Sequence, residues 1–148
     1  MRLLLARPGQ TVWNASRRFQ GQAAPELSER GRTQAEALGR VLRERKLTAI
    51  YSSPLRRARE TAAIAARHHR LPVALLADLG ALGLGRWEGH SVDEVVAADG
   101  EHYRRWLSQP LDCPPPDGEP LSRVARRVLS AMDQIVSAHP DGDEVLVV

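Results

Sequence analysis

Four short apolar runs set the limits of what this chain can fold into: Leu3-Leu4-Leu5, Thr48-Ala49-Ile50-Tyr51, Val73-Ala74-Leu75-Leu76 and Val145-Leu146-Val147-Val148. Each has the length and composition of a strand, and the last is apolar without alternation, as a strand covered on both faces should be. The segments between them carry helical periodicity. Ala35, Leu38, Val41 and Leu42 fall on one face of a helix expected over about 29–45, with Ser28 as its N-cap. Ala58, Ala62, Ile64 and Ala65 do the same over about 55–69, where Pro54 sits near the first turn. Two short helical pieces follow at 91–98 and 101–108, then a proline-rich connector at 109–120. Ser122 is positioned to cap a last helix with Val124, Val128, Leu129, Met132, Ile135 and Val136 on one face. Strands alternating with helices predict one α/β domain spanning 1–148, a three-layer sandwich with a mainly parallel sheet.

Parallel sheets bind ligands at the carboxyl ends of their strands. The segment after the first strand, ARPGQTVWN from Ala6 to Asn14, is equipped for anions. Arg7 offers a fork of donors, Gly9 permits close backbone approach, and Thr11 and Asn14 add neutral donors. Arg57 stands in the first turn of the helix after the second strand, where free N–H groups and the positive dipole end also favour phosphate. Both segments project to one sheet edge. Pro8 sits between Arg7 and Gly9, yet it has no side-chain donor, no acceptor and no backbone N–H.

The totals exclude several classes. Net charge is only +3, and Lys46 is the sole lysine among 21 basic residues. Aromatics are few and no recognition motif occurs, so a nucleic-acid partner is not expected. No stretch approaches the roughly 18 apolar residues of a membrane span, and the first five residues are too short for a signal peptide. The single cysteine, Cys113, allows no internal disulfide and supports no zinc site. These features predict a cytoplasmic protein with no metal and no cofactor.

The chain resembles the histidine phosphatase superfamily, the phosphoglycerate mutase-like proteins. The matching stretches are ARPGQTVWN with Arg17, Phe19 and Gly21, then LSERGRTQAEALG, YSSPLRRARETA, LGRWEG and the DEVLVV strand, in order over nearly the whole chain. The resemblance implies a family chemistry in which a histidine after the first strand attacks phosphorus and carries the phosphoryl group. Arginines neutralise the equatorial oxygens, and a carboxylic acid protonates the leaving oxygen.

Carried over residue by residue, the resemblance places Arg7, Asn14 and Arg57 in the phosphate pocket and Gln20 and Gly21 in a substrate-contacting stretch. It puts Pro8 at the nucleophile position and Ala81 at the acid position. The family's second histidine would follow Val148, as would a further helix and strand, so the domain reads as C-terminally shortened. His68, His69, His90, His102, His139, Glu88 and Cys113 offer no evident substitute. The expected ligand is a small phosphorylated compound or inorganic phosphate, bound without phosphomonoester hydrolysis or phosphoryl transfer. The alternative is an interaction protein or defective fragment that uses the fold without a ligand. A natural pseudoenzyme, a deliberately disarmed form and a partial gene product fit the losses equally. Uncovered apolar residues at the last strand predict marginal stability, or self-association as a homo-oligomer.

Overall fold

The computed structural model describes all residues, 1–148. Strand β1 (Arg2–Leu5) leads through the short helix α1 (Val12–Ala15) and helix α2 (Glu29–Leu42) to β2 (Ala49–Ser52). Helix α3 (Arg56–Ala65) and a 3-10 turn (Ala66–His68) precede β3 (Val73–Leu75). Helix α4 (Val92–Ser108), helix α5 (Leu121–Ala138) and β4 (Glu144–Val147) complete the chain. The sheet has the order β1-β4-β2-β3, and every pairing is parallel. No helix is long and apolar enough to cross a membrane.

Strand alternation assigns the layers. Leu4, Ile50, Leu146 and Val148 face α2 and α3, where they pack with Leu42, Ala58, Ala62 and Ala65. Leu3, Tyr51, Val145 and Val147 face the other way, against Met132 and Ile135 of α5. This is the expected three-layer arrangement. The expectation of uncovered apolar residues at the last strand does not hold: β4 is paired on both sides and Val145 to Val148 are all buried, which is why its sequence carries no polar alternation. β1 pairs only with β4, and Leu5 on it is 73% exposed.

Several local details differ from the sequence-based expectations. α2 ends at Leu42 rather than near residue 45, and α3 passes into the 3-10 turn after Ala65. The two pieces expected at 91–98 and 101–108 are one run broken at Asp99, whose backbone is non-helical at φ −146° and ψ 37°. Ser122 does not cap α5. The cap position is Pro120, which makes no side-chain hydrogen bond, and Ser122 lies inside the first turn. The segment between β1 and α2 contains α1, closed by a reciprocal cap. The Thr11 side chain accepts from the Asn14 amide, and the Asn14 side chain accepts from the Thr11 amide.

Candidate functional site

The loop after β1 is pinned before it can offer anything to a ligand. The Ala6 amide still bonds the Val147 carbonyl at the sheet end. The Gly9 amide donates to Thr61 Oγ1 of α3 at 3.0 Å. A Cβ on Gly9 would stand 2.4 Å from the Gly31 carbonyl oxygen, so only glycine lets the loop cross the start of α2. Gln10 then accepts the Ser28 amide through its backbone oxygen. Thr11 is fully buried, and its hydroxyl donates to Gln20 Oε1 at 2.6 Å.

Arg7 and Asn14 come together, but Arg57, placed in the same pocket from the sequence, does not join them. They line one cavity of about 280 Å³ with Pro8, Gln10 and Gln34. The polar side chains of that cavity present donors. Asn14 Oδ1 is occupied by the Thr11 amide at 3.1 Å. Gln10 Oε1 accepts from the Ser28 hydroxyl at 2.9 Å, and Gln34 Oε1 accepts from the Gln10 amide at 2.9 Å. Each carboxamide therefore has its oxygen engaged and its NH₂ free. Arg7 forms no ion pair, and no carboxylate lines the cavity. One cation and three amide donors, with no negative side chain, make an environment suited to an anion.

Arg57, Gln20 and Gly21 belong to a neighbouring network. The Arg57 guanidinium is buried and donates to the Ala23 carbonyl at 2.9 Å and the Gly21 carbonyl at 2.8 Å. Burial lowers its pKa, and the facing Glu88 carboxylate opposes that shift. Glu88 Oε1 accepts the amides of Gln22 and Leu84, each at 2.9 Å. Gly21 has φ +53°, and a Cβ there would lie 2.1 Å from the same Oε1. Glu88 thus ties the 21–22 turn to the 84–88 turn.

Ala81 presents a methyl group where the resemblance puts the acid, and its carbonyl is held. Arg127 donates to the carbonyls of Ala81 (2.9 Å), Gly80 (2.6 Å) and Asp78 (2.8 Å). The same guanidinium forms a two-pronged pair with Glu119, both contacts 2.8 Å. Each partner reinforces the other's charge: Glu119 is held below the usual carboxylate range, first by the Arg127 hydrogen bond, and Arg127 is raised by Glu119. The Gln22 side-chain amide donates to the Ala81 carbonyl as well.

The histidines stay outside this region. His90 is exposed, with Nδ1 3.8 Å from Glu94. His102 Nε2 bonds the Pro114 carbonyl, and His139 is bonded between Tyr51 and Asp143. His68 and His69 lie at the far end of α3, and Cys113 is buried. No cluster of three or more metal-ligating side chains occurs. Sequence reasoning missed Gln10, Gln34, Thr61, Arg127 and Glu119. Ordinary glutamines on a polar helix face carry no signal, and the arginine and its carboxylate are eight residues apart across a helix start.

Known proteins share this fold. The profile of the Histidine phosphatase superfamily (branch 1) matches residues 3–148. The chain is 42% identical over 148 residues to a protein described as Bifunctional protein Rv2228c from Mycobacterium tuberculosis, covering 99% of this chain and 40% of that one. It is 35% identical to Phosphoserine phosphatase 1 of Hydrogenobacter thermophilus, covering 99% of this chain and 70% of the other. The solved structure of Bacillus stearothermophilus YhfR superposes with a TM-score of 0.92 at 37% identity, over 98% of this chain and 71% of that one. The mycobacterial glucosyl-3-phosphoglycerate phosphatase Rv2419c, solved in complex with VO3, superposes at 0.91 and 35% identity, over 99% of this chain and 74% of that one. The chain thus spans about 40% of the length of its mycobacterial relatives and about 70% of the length of these structural neighbours. With the fold, the ordered motifs and the profile in agreement, this chain belongs to the histidine phosphatase superfamily.

Proposed function

We propose that this chain binds phosphate or a small phosphomonoester in the Arg7–Asn14 groove without forming a phosphohistidine. The observation that carries this reading is the lining of the groove: one unpaired arginine and three carboxamides whose oxygens are already engaged. Support also comes from the neighbouring phosphatase solved with VO3 and with inorganic phosphate. The side chains at the family's nucleophile and acid positions are Pro8 and Ala81. A proline nitrogen in an amide has no usable lone pair and a methyl group has no proton to give, so neither half of the family reaction has its agent. The ligand is held, and the phosphoryl group is not transferred.

Calorimetric titration with inorganic phosphate and vanadate tests the binding half. Arg7→Ala should weaken binding about tenfold or more, since a charge-assisted hydrogen bond contributes about 1.5–3 kcal/mol. Arg7 is exposed and unpaired, so its loss should leave the fold unchanged. Incubation with a labelled phosphomonoester tests the chemical half, with no acid-labile label and no turnover expected. Equal anion affinity in parent and Arg7→Ala, or acid-labile label on the chain, would overturn the proposal.

A further inference from the structure

A second cavity meets the anion groove along its inner wall. It measures about 380 Å³ and shares Arg7, Pro8 and Gln34 with the first. Its remaining lining is mostly apolar: Leu5 and Ala6 from the end of β1, and Ala35 and Leu38 from α2. The two cavities are adjacent across a shared wall of Arg7, Pro8 and Gln34, and taken together they make an amphipathic trough. One end is lined by Arg7, Pro8 and three carboxamides, and the other adds four aliphatic side chains beside Gly9 and Thr61.

The junction is Pro8. Its ring carries no polar atom, so a ligand crossing from one end to the other meets hydrocarbon at the crossing point and not a competing hydrogen-bonding group. The walls are fixed on both sides. Gly9 is tied to Thr61, which lines the apolar cavity and is itself buried, and Gln34 is tied to the Gln10 amide. The apolar end is therefore formed in advance and does not depend on a loop closing.

We infer that the trough selects phosphomonoesters of a compact apolar alcohol: the phosphate on Arg7, Asn14 and the glutamine amides, the aliphatic or aromatic group on Leu5, Ala35 and Leu38. This rests on the anion-binding reading above and adds the ligand class. Charge complementarity fixes the orientation: away from the shared wall the only polar groups of the apolar cavity, the Gly9 amide and the Thr61 hydroxyl, are already bonded, whereas Arg7 on the shared wall is free. Sugar phosphates, with hydroxyls on every carbon, would lose those hydrogen bonds to water on entering the apolar end and gain nothing.

The test is an affinity series of methyl, butyl, hexyl and phenyl phosphate, with inorganic phosphate as reference and hexanol as the phosphate-free control. Each fully buried methylene is worth roughly a fourfold gain. Hexyl phosphate is therefore expected to bind at least ten times more tightly than methyl phosphate, with the gain levelling off once the cavity is full. Hexanol alone should bind far more weakly than hexyl phosphate. Methyl-resolved NMR should show contacts from the alkyl chain to Leu38 and Ala35, and Leu38→Ala should reduce the hexyl-to-methyl affinity ratio. The ratio is measured within each folded variant, so a change in stability does not imitate the effect. If inorganic phosphate binds but the alkyl chain adds nothing, the ligand class is wrong and the anion site stands. If hexanol binds as tightly as hexyl phosphate, the two ends are not one site and the inference fails. If none of the phosphates binds, the anion-binding reading falls, and this inference with it.

Discussion

Replacing Arg57 with alanine separates the structural work of this residue from any part it has in ligand binding. Its guanidinium makes two charge-assisted hydrogen bonds, 2.9 Å to the Ala23 carbonyl and 2.8 Å to the Gly21 carbonyl. Such bonds contribute about 1.5–3 kcal/mol each. Two effects reduce the sum. Removing a buried guanidinium also removes the cost of desolvating it, and water can reach part of the freed loop. A net loss of about 2–3 kcal/mol remains, which for a chain of this size lowers Tm by roughly 6–9 °C. Arg57→Lys should recover less than half of the loss, because one ammonium cannot fork to two carbonyls. Urea unfolding followed by the fluorescence of Trp13, Trp87 and Trp106 measures all three proteins. Arg7→Ala is the control, since Arg7 is exposed with no ion pair. If Arg57→Ala stays within about 0.5 kcal/mol of the parent, as an uninvolved surface change would, the latch contributes nothing and this reading of Arg57 is refuted.

Two further perturbations examine the loops around the groove. Glu119→Gln should reduce stability at neutral pH. A carboxylate whose folded pKa is depressed contributes above its unfolded value and loses that contribution as pH falls through the folded one. The difference between parent and variant should therefore be full at pH 7 and shrink as pH drops below about 4.3; a difference that persists undiminished at pH 2 contradicts the Arg127 pairing. Gly21→Ala should cost at least about 1–3 kcal/mol, because it forces a side chain into left-handed backbone and towards Glu88. A double-mutant cycle with Glu88→Ala should show the steric part relieved and the backbone part retained; strict additivity would mean that Glu88 does not press on this turn.

The architecture was legible because its signals are strong where burial is greatest. β4 is covered on both faces, and the run Val145–Val148 advertises that directly. α2 and α3 bury small residues on one face, which the spacing of Ala35, Ala58 and Ala62 discloses. Helix ends were less legible. Ser122 has the chemistry of a cap, but the chain turns into α5 two residues earlier at Pro120, whose fixed φ suits a helix start without a side-chain bond. The site was legible in placement and less so in connection. Strand ends put Arg7, Asn14 and Arg57 on one sheet edge, yet spacing does not say which carbonyls will engage a guanidinium. Arg57 turned to the backbone at Gly21 and Ala23, while Arg7 met no acceptor at all. Gln10 and Gln34 became groove residues only because their oxygens found partners in Ser28 and the Gln10 amide, contacts made between segments far apart in sequence.

That pattern of connections gives a physical reason why binding could outlast chemistry in this fold. The backbone around the groove is held by Gly9 to Thr61, by Gln10 to Ser28 and by Arg57 to the 21–23 turn. The loop at the acid position is held by Arg127 through the carbonyls of residues 78, 80 and 81. None of these bonds uses the side chain at position 8 or 81. On the proposed reading, in which positions 8 and 81 are the family's nucleophile and acid positions, a proline ring and a methyl group there remove two reacting groups and take no support from the loops. Proline at position 8 also restricts the chain before folding, which favours the ordered loop over the unfolded one where its φ is compatible. The three carboxamides that line the groove are held by Thr11, Ser28 and the Gln10 amide, so their placement does not depend on a bound phosphoryl group or on a histidine. On the proposed reading, an anion site of this construction keeps its geometry whether or not the family reaction accompanies it.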